Sequence, residues 1–289
     1  MPVHCVGVAP LRGLPAVPKS PLRALDGGLL ACQVSLEVLG QGFLAAYTEG
    51  DNSAVVATDT MKNVILRRAL EHDTMALEAF LEGLGRDMLG AYPAMEALRL
   101  RAEELPFAAV AVGAEGERSD RLFALRGGER AVAELELAQG GAVRAARTSL
   151  AGLRLLKTTG SAFTAFQRDD ATTLPERRDR PLFVALDVAW RYADARDALA
   201  GDPARYVAPA QVRDVVATVF HEFVSESIQH LVHEMGQRLL ARYPGLAAVS
   251  FRGENHTHDP VPGMDPEAPR RAYTAPFPAY GLITLELER

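Results

Sequence analysis

Apolar and polar residues alternate with two different periods along this chain, and the switches between them mark its elements. Leu29 to Val38 carries Val34, Leu36 and Val38 at period two, which predicts a strand. Phe43–Thr48 and Ser53–Ala57 read as two short strand pieces around Glu49-Gly50-Asp51-Asn52, a turn-forming run. Helical spacing then runs from Asp59 to about Leu70 and from about Thr74 to Ala91, where Tyr92-Pro93 ends it. Residues 95–101 alternate as a strand, and 122–125 and 131–137 flank Gly127-Gly128 as a hairpin. The second half repeats this scheme. Phe183–Trp190 is strand-like, Pro209 to about Tyr243 is a long helical region, and Ala247–Arg252 is a strand. Residues 1–18 are broken by Pro2, Pro10, Pro15 and Pro18 and read as an extended lead-in. Lys19–Leu25 and the strand from Leu29 then pair as a hairpin across Asp26-Gly27-Gly28.

The repetition extends to single residues. Gly85, Leu89, Tyr92-Pro93, Ala97, Arg101 and Glu103 recur as Gly236, Leu240, Tyr243-Pro244, Ala248, Arg252 and Glu254, without a gap. An ungapped helix–Tyr-Pro–strand match points to a duplicated unit. Hairpins and helices in each half imply an α+β class, an antiparallel sheet with helices on one face. A chain of 289 residues accommodates two such units, 1–145 and 146–289.

Composition adjusts this picture only slightly. An apolar fraction of 48% with 24% charged residues fits an ordinary globular core. A net charge of −6, a pI near 5.7 and the lack of a basic stripe argue against a nucleic-acid partner. Cys5 and Cys32 have no metal spacing and are too few for a disulfide framework. No apolar run reaches membrane-spanning length and the N-terminus lacks a signal peptide's apolar core, so the reducing cytoplasm is the default compartment. Of the basic residues only Lys19, Lys62 and Lys157 are lysines, and a lysine can be desolvated and lose its proton where a guanidinium cannot.

The candidate chemistry sits in a few polar stretches. Thr58 or Asp59 stands before a helical pattern, where a side-chain oxygen can cap free N–H groups; the same geometry would make a polar pocket wall. Phe163 can be a stacking face or a core residue. Arg180 has a fork that fits paired acceptors, or is a solvated charge within Glu176–Arg180. Gln229 can present a donor beside an acceptor, and Asn255 follows a strand, as turn residues do. His256 and His258 near Asp259, or His230 and His233 on one helix face, lack a third ligand at recognisable spacing, so no metal is expected.

Taken together, Ala57-Thr58-Asp59-Thr60-Met61-Lys62-Asn63, Leu156–Phe163 with Arg168-Asp169, Thr172–Glu176 and Asp179-Arg180, and Ala279–Ile283 resemble the urate oxidase (uricase) family. The resemblance covers roughly residues 43 to 289. It implies tandem tunnelling-fold (T-fold) units, with subunits pairing to close a barrel and pairs stacking into a homotetramer. It implies cofactor-independent oxidation of urate by dioxygen and water to 5-hydroxyisourate and hydrogen peroxide. By this resemblance Phe163 stacks on the purine and Arg180 clamps it. Ile228, through its backbone N–H, and Gln229 read the opposite edge, while Asn255 holds dioxygen or water above the ring. Thr58 and Asp59 come from a neighbouring subunit. Lys19, the lysine upstream, is the partner of Thr58 in a proton relay.

The chain departs from the family at two places. The N-terminal hairpin is shorter and contains Pro21. At Asn255-His256-Thr257-His258 the family has Asn-x-His, so Thr257 stands where a relay histidine is expected. In an extended strand Asn255 and Thr257 share one face, and only a bulge brings a neighbouring histidine onto it. Two other readings therefore stay open: a uricase-like purine-binding protein that has lost turnover, and another purine- or pterin-converting enzyme of the same fold.

Overall fold

The computed structural model describes residues 5–10, 29–71, 76–199, 204–265 and 270–289. Lys19 and the expected turn at Gly27-Gly28 lie outside them. The chain divides into two compact units, residues 1–149 with 190–209, and residues 150–189 with 210–289.

In the first unit the strands run in the order β1-β2-β3-β6-β7. They are β1 (Cys5–Pro10), β2 (Leu29–Leu39), β3 (Ala97–Glu104), β6 (Arg130–Ala138) and the first half of β7 (Ala142–Lys157). β1, β2, β3 and β6 pair antiparallel in turn. The lead-in thus holds the first strand. Pro10 pairs with Leu29 at its end, where a missing N–H is tolerated. Between β2 and α2 (Thr58–Glu71) the chain makes a 3₁₀ turn (Gln41–Phe43) and α1 (Leu44–Thr48) rather than the two strand pieces expected there. The apolar run Phe43–Thr48 is too short to choose strand over helix, and no neighbouring strand offers it a ladder.

Helix α3 (Leu77–Ala91) lays Leu77, Phe80, Leu81, Leu84, Met88 and Leu89 into the core with Leu98, Leu100, Leu135 and Leu137. Gly85 lets it approach: a Cβ there would lie 3.0 Å from Leu100 and 3.2 Å from Leu137. The expected hairpin across Gly127-Gly128 does not form. β5 (Glu117–Leu125) pairs instead with β4 (Phe107–Val112) in a separate two-stranded sheet, while β6 pairs with β3. Glycines mark a reversal of direction; which strands then pair is set by what each face can bury. Cys32 is buried in the core, and burial followed by the charge of Glu104 pushes its thiol up to about 11, which makes it inert.

α3 also buries a carboxyl. Glu78 is 1% exposed, accepts hydrogen bonds from the Thr148 and Tyr206 hydroxyls, and burial raises its pKa. An acid whose folded pKa is raised contributes stability that is present below the ordinary carboxylate range and fades as pH rises through the folded value. Glu78→Gln should therefore flatten the decline of stability with rising pH, since the amide does not titrate and still meets both hydroxyls. Denaturant midpoints of both proteins at pH 5 and pH 8 check this. An unchanged pH slope would remove Glu78 from the account.

The second unit has the order β7-β8-β9-β10, with the end of β7, then β8 (Leu182–Tyr192), β9 (Leu246–His256) and β10 (Gly281–Glu288). After the short α4 (Arg196–Leu199), the long helical region is two helices, α5 (Pro209–Glu222) and α6 (Ile228–Arg242), separated by residues 223–227. The duplicated pattern is real in structure. α3 and α6 are both fifteen residues long and end on Tyr92 and Tyr243 in nearly the same conformation, ψ 86 in each. Gly236 repeats the role of Gly85, since a Cβ there would meet Phe251 at 3.2 Å and Leu287 at 2.5 Å. No helix among the described residues is long and apolar enough to cross a membrane.

Candidate active site

The second unit gathers four of the predicted site segments through backbone contacts. The first follows β7, where Gly160 turns the chain at φ 76. Ala162 N–H donates to the Ser225 carbonyl at 2.8 Å, and Ser225 N–H to the Gly160 carbonyl at 3.3 Å. Phe163 and Arg177 exchange both backbone hydrogen bonds, at 2.8 and 3.0 Å, and Arg180 N–H donates to the Ser161 carbonyl at 2.9 Å. These bonds place the Arg180 guanidinium 5.4 Å from the centroid of the Phe163 ring. Phe166 stacks on Phe163 at 4.9 Å with an interplanar angle of 11°, which covers one face of the ring.

Phe166 is aimed there by Ala165, the single non-glycine residue at positive φ among those described, at φ 55. A Cβ in this left-handed region costs about 1–2 kcal/mol. Ala165→Gly should raise stability by about 0.5–1 kcal/mol, the strain relief less glycine's greater unfolded freedom. A melting temperature no higher than that of the parent would contradict this.

The third segment is the start of α6. Ser227 caps it by accepting from His230 N–H at 3.1 Å. The N–H groups of Ile228 and Gln229 come before any intrahelical partner and point out of the helix end, where the macrodipole favours an anion. Ile228 is buried and its Cδ1 lies against Gly253 in β9, 3.5 Å from where a Cβ would be. Gln229 is exposed. The fourth segment is the end of β9. Residues 248 to 255 pair with 288 to 281 in unbroken register, so the strand carries no bulge up to Asn255. Asn255 shares the helix-facing side with Phe251 and Gly253. The His256 ring packs instead between Phe183 at 5.3 Å and Tyr280 at 5.2 Å, beside Glu254 at 3.3 Å. β9 ends at His256, so Thr257 and His258 follow the strand. His258 Nδ1 meets the Thr274 carbonyl at 2.8 Å, which fixes the proton on Nδ1 if the ring is neutral.

The electrostatics of this unit suit an anion. Burial and then the nearby Arg177 charge lower the pKa of Arg180, the signature of a guanidinium that gains by receiving a negative partner. Arg180 Nε, Asn255 Oδ1, and the Ser161 and Ser225 hydroxyls are buried without a hydrogen-bond partner in the protein. Unmatched buried donors and acceptors are costly, and a ligand carrying both kinds of group offsets that cost.

Thr58 and Asp59 belong to the first unit, and both are exposed. The preceding run is not a buried strand: Ser53–Ala57 is irregular, and Val55 is 44% exposed. Thr58 does not cap the helix from outside. It is the first helical residue, because Met61 N–H already bonds the Ala57 carbonyl. The Asp59 carboxylate meets Lys62 at 2.5 Å and Asn63 at 3.1 Å, and Lys62 above all lowers its pKa. Lys62 is thus an exposed helix-surface pair. The Lys157 stem lies against Gly160, and its ammonium donates to the Phe223 carbonyl at 2.8 Å. Burial lowers its pKa, with Asp179 opposing. Among the described residues no three His, Cys, Asp or Glu side chains stand together as a metal site.

An aromatic face, a half-buried guanidinium fork, a helix N-terminus and an amide stand together in this unit, groups that can receive a flat, anionic ring with hydrogen-bonding edges. The model of the Uricase family matches residues 40–136 and 146–284. The chain belongs to the uricase family. It is 43% identical over 262 residues to a uricase of Haloferax volcanii, covering 88% of this chain and 85% of that protein. It is 39% identical over 277 residues to the uric acid degradation bifunctional protein PucL of Bacillus subtilis, covering 94% of this chain and 56% of that protein. The chain therefore spans little more than half the length of the bifunctional Bacillus relatives it matches. The crystal structure of urate oxidase from Bacillus sp. TB-90 superposes with a TM-score of 0.88 at 36% identity, covering 100% of this chain and 98% of that one.

Proposed function

We propose that this protein is a urate oxidase: urate, dioxygen and water give 5-hydroxyisourate and hydrogen peroxide, with no metal or organic cofactor. The observation that carries this is the pairing of Phe163 with the desolvated Arg180, beside the α6 N-terminus, in a chain of the uricase family. Urate stacks on the face of Phe163 away from Phe166, and Arg180 holds a carbonyl oxygen and the adjacent deprotonated nitrogen in its fork. The Ile228 N–H and the Gln229 amide take the opposite edge. Asn255 holds dioxygen or water over the ring. Urate as a dianion is itself the reductant, so the protein contributes deprotonation, alignment and exclusion of water.

Lys19 and Thr58 form the proton relay in this reading, and Thr257 passes a hydrogen bond but not a proton near neutral pH. Thr58 and Asp59 reach the Phe163 and Arg180 of a second subunit, in a cytoplasmic homotetramer whose tandem T-fold units, 1–145 and 146–289, close barrels. The unbroken β9 register, with His256 held among Phe183, Tyr280 and Glu254, favours one second reading: a purine-binding protein with weakened turnover. A crystal soaked with 8-azaxanthine tests the site. Its ring is expected parallel to Phe163 with one edge at Arg180; density only elsewhere would overturn the assignment.

A further inference from the structure

Three chain segments carry the face, the clamp and the edge reader, and one carboxylate joins two of them. Asp179, next to Arg180, accepts from the Thr159 hydroxyl at 2.8 Å, from the Gly160 N–H at 2.7 Å and from the Arg271 guanidinium at 3.3 Å. Thr159 and Gly160 begin the turn that ends on Phe163; Arg271 arrives from a third stretch of chain. These hydrogen bonds keep the carboxyl below its ordinary range against the opposing effect of burial, so Asp179 is ionised at neutral pH. The same turn is held from its other side by Lys157, whose ammonium reaches past Gly160 to the Phe223 carbonyl at the exit of α5. Ser225 then joins Gly160 and Ala162 to the segment leading into α6.

We propose that Asp179 is a positioning residue for substrate binding: its carboxylate locks the Thr159–Phe163 turn to the strand entry that bears Arg180, and so sets the ring of Phe163 against the guanidinium. Arg271 completes this lock by neutralising the carboxylate beside an anion site. Without it a negative charge one residue from Arg180 would oppose an anionic ligand. The inference rests on the proposed urate site, and it goes further by naming the residue that sets that site's geometry. It follows that Asp179 acts on the ground-state fit of the ring and leaves the proton transfer to others. A loss of the lock appears in KM more than in kcat.

The experiment compares the full-length parent with Asp179→Ala, Asp179→Asn, Thr159→Val and Arg180→Lys, measuring KM and kcat for urate and the inhibition constant of 8-azaxanthine. Asp179→Ala should raise KM and the inhibition constant together by ~10-fold or more while kcat falls less than ~3-fold, as expected for the loss of charge-assisted hydrogen bonds that orient the site. Asp179→Asn keeps an acceptor for the Gly160 N–H, and its amide N–H can donate to the Thr159 hydroxyl, but it loses the Arg271 pairing, so it should recover part of the binding. Thr159→Val removes one of the three contacts without touching the carboxylate and should show a smaller shift of the same kind, which keeps the test decisive if Asp179→Ala does not fold. If Arg180→Lys weakens binding and Thr159→Val and the folded Asp179 variants do not, the positioning role is wrong. If Arg180→Lys itself leaves binding unchanged, the urate site has been misplaced. An equal fall in kcat at constant KM would overturn the proposal in favour of a role in the chemical step.

Discussion

Lys19→Met is expected to abolish urate turnover but to leave 8-azaxanthine binding within ~3-fold of the parent, because in the proposed site stacking and clamping fall to Phe163 and Arg180 and not to the base. A general base contributes roughly 10²–10⁴-fold to rate, so this is the largest kinetic loss the account predicts for one side chain. Thr257→Val should be mild by comparison, at most ~10-fold, since a hydroxyl there contributes one hydrogen bond and no titrating group. The two variants together locate the proton. Full turnover by Lys19→Met removes lysine from the relay. Loss of activity in His256→Ala or His258→Ala, with Thr257→Val active, assigns the proton to an imidazole.

Arg180→Lys should weaken urate and 8-azaxanthine binding by ~10-fold or more with the charge retained, because a buried hydrogen bond to a charged partner contributes about 1.5–3 kcal/mol and an ammonium cannot replace the fork. Desolvation compounds the loss. The site has lowered the pKa of Arg180, through burial and the neighbouring Arg177, and a smaller, more strongly hydrated cation resists burial further. Isothermal titration with 8-azaxanthine measures the loss; equal affinity in parent and variant would place Arg180 outside the site.

The duplicated helix-and-strand unit was legible because its determinants are local. Glycine at the point of close approach, Tyr-Pro at the helix end and period two in the strand all recur, and α3 and α6 follow them. Strand partnership was not legible. Gly127-Gly128 reads as a hairpin on turn chemistry, yet β5 turns back to β4, a choice made by distant surfaces. The stretch before Thr58 failed for a related reason, since Phe43–Thr48 satisfies helix and strand patterns equally. In the site, Phe163, Arg180, Ile228 and Asn255 came from motifs. Asp179 stood in the same motif without a role, because what it does depends on an amide and a hydroxyl some twenty residues earlier. A carboxylate between two arginines in sequence reads as a solvated charge until the backbone shows what it holds. Lys157 stood out only as a rare lysine; its contacts, the Gly160 turn and the Phe223 carbonyl, are seen in the structure alone.

The most direct measurement is the stoichiometry of urate consumed, dioxygen consumed and hydrogen peroxide formed by chelator-treated protein. One dioxygen used and one peroxide released for each urate lost, undiminished by the chelator, is the predicted result. Urate bound at the Phe163–Arg180 site with neither dioxygen consumed nor peroxide formed would contradict it.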